Sequence, residues 1–136
     1  MTHRQFNALT VDVEDYFHVA AFSKQYPKET WDLQELRVEK STRRILSIFE
    51  KHQVNATFFT LGWVAQKCPD LIKEIVDQGH ELGCHGYWHD KINEQTPQQF
   101  REDLSLAKQI LEQTSGVEVC GYRAPSFSIN KESSWA

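Results

Sequence analysis

The sequence predicts an α/β fold with mainly parallel strands, and two features of the chain indicate it. Short apolar runs of strand length alternate with longer segments in which apolar residues recur at helical spacing. This alternation is typical of βα units, in which each helix leads back to a parallel neighbouring strand. The length of 136 residues is that of one ordinary domain, and the low content of Gly and Pro argues against a repetitive or disordered chain.

Four apolar runs are predicted to be strands. The first covers residues 8–13, and its alternation places Leu9, Val11 and Val13 on one face. The other face of this strand is polar and acidic, which is unusual for a strand in a protein core. The remaining runs cover residues 55–61, 80–85 and 118–123.

Helices are predicted between these strands, over residues 41–52, 62–78 and 96–115. Pro69 is expected to divide the second helix, with a new helix beginning at the proline. Thr96, followed by Pro97 and by Gln99 three residues after the cap, is typical of a helix start, and Gly116 of a helix end. The residues 16–40 fit no period and are predicted to form a long loop with one helical turn.

Charge and hydropathy exclude several classes of protein. The chain carries 15 basic and 19 acidic residues without a basic stripe, which argues against a nucleic-acid-binding protein. No apolar run approaches the roughly 18–20 residues of a membrane span. The N-terminus lacks the apolar segment of a signal peptide, which predicts a cytoplasmic location. The three cysteines are far apart and odd in number, so we expect reduced thiols.

Charged and metal-ligating side chains follow three of the four predicted strands. They are Asp12, Glu14 and Asp15 after the first, His85 and His89 after the third, and Arg123 at the end of the fourth. Because the carboxyl ends of parallel strands lie at one edge of the sheet, these groups are expected to converge there. Carboxylates with imidazoles suit Zn²⁺, Co²⁺, Ni²⁺ or Fe²⁺, and three protein ligands are typical of a catalytic centre.

Each of these features also has a structural interpretation. Two histidines four residues apart are often surface residues, three neighbouring acids can form a solvated turn, and Arg123 can be a surface arginine. A zincin-type helix is excluded because Gly86 stands where that motif has Glu. Cys84 is expected to pack in the core, and Trp88 to form a pocket wall.

Taken together and in order, four motifs resemble the polysaccharide deacetylase (NodB-homology) family of carbohydrate esterases. They are TVDVED at residues 10–15, NATFFTLG at 55–62, GHELGCHGYWH at 79–89 and GYRAPSFS at 121–128. The DVEDYFHV and YRAPSFSI segments most resemble the branch linked to bacterial exopolysaccharide loci of the exosortase type. The resemblance extends from about residue 6 to the last residue.

The resemblance implies a distorted (β/α) barrel, one divalent metal and a role for each motif residue. Asp12 would be the general base, His85 and His89 metal ligands, and Arg123 the group that orients the base. The third ligand stays open between two acids. Strand parity favours Glu14, which shares the face of Asp12. Many family members have adjacent aspartates, and Asp15 is an aspartate but reaches the site only if the strand has already turned.

The activity that the resemblance implies is hydrolysis of N-acetyl groups on amino sugars of a bacterial polysaccharide, with Zn²⁺ as the first choice of metal. One alternative is hydrolysis of another C–N bond, in a formamide or a cyclic imide, by the same fold. A second alternative is a non-catalytic protein that binds sugar or metal.

Four strand-like runs are fewer than a closed (β/α) barrel needs. The residues 1–136 are therefore expected to be the N-terminal part of a single catalytic domain. The general acid, a histidine in the family, is expected outside this chain, since His3, His18 and His52 do not match its motif. By itself the chain is expected to be inactive or impaired.

Overall fold

A parallel β-sheet of three strands forms the centre of the chain, in a computed structural model that describes residues 7–136. The strands are β1 (Thr10–Val13), β2 (Thr57–Thr60) and β3 (Glu81–Cys84), in the order β1-β2-β3. Asp12 is in register with Phe59, which in turn is in register with Gly83. The predicted parallel arrangement is confirmed. His3 and most of the segment examined for a signal peptide lie outside the described residues.

The fourth predicted strand, residues 118–123, does not form a regular strand. One parallel bridge joins Tyr122 to Cys84, supported by the N–H of Cys84 donating to the carbonyl of Gly121 at 2.8 Å and by the N–H of Arg123 donating to Cys84 at 2.9 Å. The pairing stops there because the chain turns at Pro125, which has no N–H to continue a ladder. This single bridge still places Arg123 at the carboxyl end of β3.

Residues 7–136 contain four α-helices, α1 (Val38–His52), α2 (Gly62–Lys67), α3 (Pro69–Asp77) and α4 (Pro97–Ser115). The break at Pro69 is confirmed. So is the start of α4, where Thr96 and Gln99 exchange side chain–backbone hydrogen bonds. Among the described residues, no helix is long and apolar enough to cross a membrane.

The loop after β1 contains three short 3₁₀ helices instead of the single turn predicted. They are Tyr16–His18, Ala20–Phe22 and Lys28–Leu33. Phe17 and Trp31 are buried and pack against Trp63 of α2, with ring centroids 5.7 Å from the Trp63 ring in both cases. This aromatic contact holds the loop over the carboxyl edge of the sheet.

The start of α2 lies close to α4, and Gly62 makes this approach possible. A Cβ at this position would lie 2.8 Å from a ring carbon of Tyr87 and 2.9 Å from the Cα of Ala107. We expect Gly62→Ala to lower the free energy of unfolding by about 1–3 kcal/mol through overpacking, measured by urea denaturation. Gly121→Ala is the matched control, because its Cβ would meet only an ordinary contact of 3.6 Å. Equal stability of the two variants would contradict the expectation.

Candidate metal centre

Three potential metal ligands meet at the carboxyl edge of the sheet. Glu14 follows β1, His85 follows β3, and His89 lies four residues further along the chain. One ligand atom from each lies within 4.8 Å of the other two. The Nε2 atom of His89 is 2.7 Å from Oε2 of Glu14, and Nε2 of His85 is 3.9 Å from the same oxygen.

The protonation of His85 can be derived from its contacts. Its Nδ1 atom lies 2.7 Å from the carbonyl oxygen of Arg123, which can only accept, so Nδ1 carries the proton. The lone pair of Nε2 therefore faces Glu14. Burial lowers the pKa of His85 while the Arg123 carbonyl, Asp12 and Glu14 raise it, and the net shift is downward, toward the neutral ring that a metal ligand requires.

The carboxylate of Glu14 fits a cation better than it fits its protein neighbours. Among the described residues its Oε2 atom is buried and has no assigned hydrogen-bond donor, although Nε2 of His89 lies 2.7 Å away. Burial raises the pKa of Glu14, but the neighbouring His89 and His85 lower it by more. The net shift is downward, so the acid is ionised. An ionised oxygen and two imidazole nitrogens in this arrangement form a donor set suited to Zn²⁺ or a similar divalent ion.

Asp12 and Arg123 form an ion pair beside these ligands. Nη1 of Arg123 donates to Oδ1 of Asp12 at 2.6 Å, and Nη2 donates to the hydroxyl of Thr10 at 2.8 Å. The guanidinium also lies over the ring of Phe59, 4.2 Å from its centroid. The second oxygen of Asp12 is 3.9 Å from Nε2 of His85. One oxygen of Asp12 is thus held by arginine while the other faces the ligand cluster.

A cleft of about 380 Å³ is lined by the ion pair of Asp12 and Arg123 and by the three potential ligands, Glu14, His85 and His89. The segment after Arg123 forms one of its walls, where Ser126 and Phe127 both have positive φ angles, of 54° and 52°. Non-glycine residues rarely adopt this conformation, and it is concentrated at functional sites. The cleft therefore joins the Asp12–Arg123 ion pair, the three potential metal ligands and a strained wall in one concave surface.

Comparison with known proteins identifies the family. The family model described as polysaccharide deacetylase matches residues 22–136, which is most of the chain. The chain belongs to the polysaccharide deacetylase family. Among relatives, a peptidoglycan-N-acetylglucosamine deacetylase of Bacillus cereus is 32% identical over 96 residues, which are 70% of this chain and 35% of that protein. A peptidoglycan deacetylase of Helicobacter pylori is 34% identical over 87 residues, 64% of this chain and 30% of that protein.

Solved structures of this family have the same fold. A CE4 family pseudoenzyme from Bacillus anthracis superposes with a TM-score of 0.72 at 26% identity, covering 92% of this chain and 37% of that one. A peptidoglycan N-acetylglucosamine deacetylase superposes with a TM-score of 0.71 at 26% identity, covering 94% of this chain and 50% of that one. The chain thus spans half or less of the length of these relatives. The predicted α/β class with a NodB-like, partial arrangement of parallel strands is confirmed.

Asp15 is not brought to the ligand cluster of this deacetylase-family chain. One of its carboxylate oxygens accepts from the N–H of Tyr16 at 2.9 Å. The other accepts from the N–H groups of Arg37 and Val38 at 2.7 and 2.8 Å. Asp15 therefore caps the start of α1 from a distance of more than twenty residues, which is why α1 begins at Val38 rather than at the predicted residue 41.

We expect Asp15→Ala to destabilise the fold by about 2 kcal/mol, because it leaves three backbone donors without their acceptor. Urea denaturation followed by circular dichroism measures this loss. Asp70→Ala is the control, since Asp70 also lies in the first turn of a helix but is 83% exposed. A change of less than about 0.5 kcal/mol in both variants would exclude the capping role of Asp15.

His18 is a buried histidine beside the potential metal ligands. The sequence analysis considered His18 only as a general acid. Its Nδ1 atom accepts from the N–H of Asp15 at 2.8 Å, and its Nε2 atom has no partner within residues 7–136. Burial lowers its pKa to about 3, so the ring is neutral. With His89 and Trp88 it lines a second cavity of about 330 Å³ next to the cleft. The Asp-x-x-His spacing of a capping box was the signal available in the sequence.

Proposed function

We propose that this protein is a metal-dependent deacetylase that hydrolyses N-acetyl groups of amino sugars in a bacterial polysaccharide. The observation that carries the proposal is the Asp12–Arg123 ion pair next to the Glu14, His85 and His89 donors in one cleft. The relatives named as peptidoglycan deacetylases support this class of substrate. The resemblance of the opening and YRAP motifs favours an exopolysaccharide among the possible polymers.

In this proposal Glu14, His85 and His89 hold one divalent ion, with Zn²⁺ favoured over Co²⁺, Ni²⁺ and Fe²⁺. When bound, such an ion would supply Lewis-acid polarisation of the amide carbonyl and acidify a water molecule. Arg123 holds Oδ1 of Asp12, and this leaves Oδ2 free to accept a proton from the attacking water. The leaving amine must also gain a proton, and the proposal assigns no residue of this chain to that step.

The test is acetate release from N-acetylated chito-oligosaccharides and from peptidoglycan fragments. It uses the protein together with any sequence that follows Ala136 in its gene. We expect release that stops when a chelator is added and returns when Zn²⁺ is restored. Release from formylated or cyclic imide substrates instead would assign the same fold to a different C–N bond.

A non-catalytic protein is the second candidate, because a solved relative from Bacillus anthracis is described as a pseudoenzyme. This alternative predicts that the intact protein binds Zn²⁺ without releasing acetate from any of these substrates. The assembled ion pair of Asp12 and Arg123 favours the enzyme. The location in the cytoplasm stays a prediction from the sequence.

A further inference from the structure

The turn between the two histidine ligands has an unusual backbone. Gly86 has a φ of 79° and His89 a φ of 59°, so both lie in the left-handed region. For His89 this conformation is disfavoured and persists only when surrounding contacts impose it. The shape of this turn sets the distance between Nε2 of His85 and Nε2 of His89, and therefore the fit of the centre to an ion.

The carboxylate of Asp103, on α4, accepts hydrogen bonds from two consecutive residues of this turn and lies close to a third, Gly86. Its Oδ2 atom accepts from the N–H of Tyr87 at 2.8 Å, and its Oδ1 atom accepts from the N–H of Trp88 at 3.2 Å. A Cβ on Gly86 would lie 2.8 Å from the same Oδ2 atom. Both oxygens of Asp103 are thus used on backbone groups between the two ligands.

Other contacts hold different parts of the turn. The hydroxyl of Tyr87 donates to Oε1 of Gln66 at 2.6 Å, and the N–H of Gly62 donates to the carbonyl of Gly86 at 2.9 Å. These bonds fix a side chain and a carbonyl. The N–H groups of Tyr87 and Trp88 both point to Asp103, so its removal leaves two donors without their acceptor in a partly buried place.

Burial disfavours a negative charge on Asp103. Burial raises its pKa, and the two N–H groups that bind it lower the pKa only in part. Lys28 lowers the pKa further, whereas Asp90 raises it. A partly buried carboxylate with a raised pKa is a candidate for a functional role, and here the hydrogen bonds to Tyr87 and Trp88 say which role.

We propose that Asp103 is a positioning residue for the metal centre. It holds the backbone of Tyr87 and Trp88 and so sets the separation of His85 and His89. This role rests on the proposed function in that Glu14, His85 and His89 must bind a divalent ion.

The test is binding of Co²⁺ alone, which reports coordination geometry through its visible absorption. We compare the unaltered protein with Asp103→Ala, Asp103→Asn and the control Glu102→Gln, an exposed neighbour on the same helix. Asp103→Ala is expected to weaken Co²⁺ binding by about 10- to 100-fold, as is common when a group that orients a ligand is removed, and to change the spectrum. Asp103→Asn keeps one acceptor oxygen, so its affinity should be intermediate. Glu102→Gln should behave as the unaltered protein does.

Three outcomes would overturn either the positioning role of Asp103 or the metal centre, and the measurements distinguish them. A folded Asp103→Ala variant with unchanged affinity and spectrum overturns the positioning role. If Asp103→Ala does not fold, by circular dichroism, Asp103→Asn decides: weaker binding supports the role and unchanged binding overturns it. Absence of Co²⁺ binding by the unaltered protein overturns the metal centre itself, and with it the proposed function.

Discussion

Replacing Asp12 by Asn is expected to lower the rate of acetate release by at least about 100-fold, the lower end of what general acid–base catalysis contributes. An amide in this place has no carboxylate oxygen to take up the proton of the attacking water. Its carbonyl oxygen can still accept from Arg123, which donates to Oδ1 at 2.6 Å, so the local geometry should survive. The loss should therefore appear in kcat, with little change in KM.

The same variant should keep its metal, since Asp12 stands outside the cluster formed by Glu14, His85 and His89. Metal content after dialysis, measured beside the kinetics, separates a lost base from a lost ion. Asp70→Asn is the control, an exposed acid on α3. Near-normal turnover by Asp12→Asn would show that another group is the base, and loss of the ion would show that Asp12 is a ligand.

The convergence of these groups is the part of the site that strand parity predicts. Alternation along β1 puts Asp12 and Glu14 on one face, and the parallel pairing of β1, β2 and β3 brings His85 to the same edge. Both predictions depend only on local period and on the common direction of the strands. For this reason they needed no knowledge of loops or caps.

The elements that the sequence analysis missed all depend on contacts between distant residues. The start of α1 at Val38 depends on Asp15, and the turn that carries His89 depends on Asp103. The local sequence of neither acid shows which distant N–H groups its carboxylate binds. The 3₁₀ helices after β1 are held by burial of Phe17 and Trp31 against Trp63, which no local period indicates.

A large loss of metal binding is expected from Glu14→Gln. This change keeps the size of the side chain but removes the negative charge that lies 2.7 Å from His89 and 3.9 Å from His85. We expect Zn²⁺ affinity to fall by more than about 100-fold, beyond the range typical of groups that only orient a ligand. His85→Ala, which removes a nitrogen donor, should have an effect of the same size.

Asp15→Asn is the matched variant, one residue further along the chain. Its carboxylate binds the N–H groups of Tyr16, Arg37 and Val38, so the substitution should reduce stability and leave Zn²⁺ affinity within a few-fold of the unaltered protein. Competition with a chromogenic chelator measures both affinities, and urea denaturation measures both stabilities. If Asp15→Asn lost the ion and Glu14→Gln kept it, the third ligand would be Asp15, and the carboxyl edge of β1 would have to turn when metal binds.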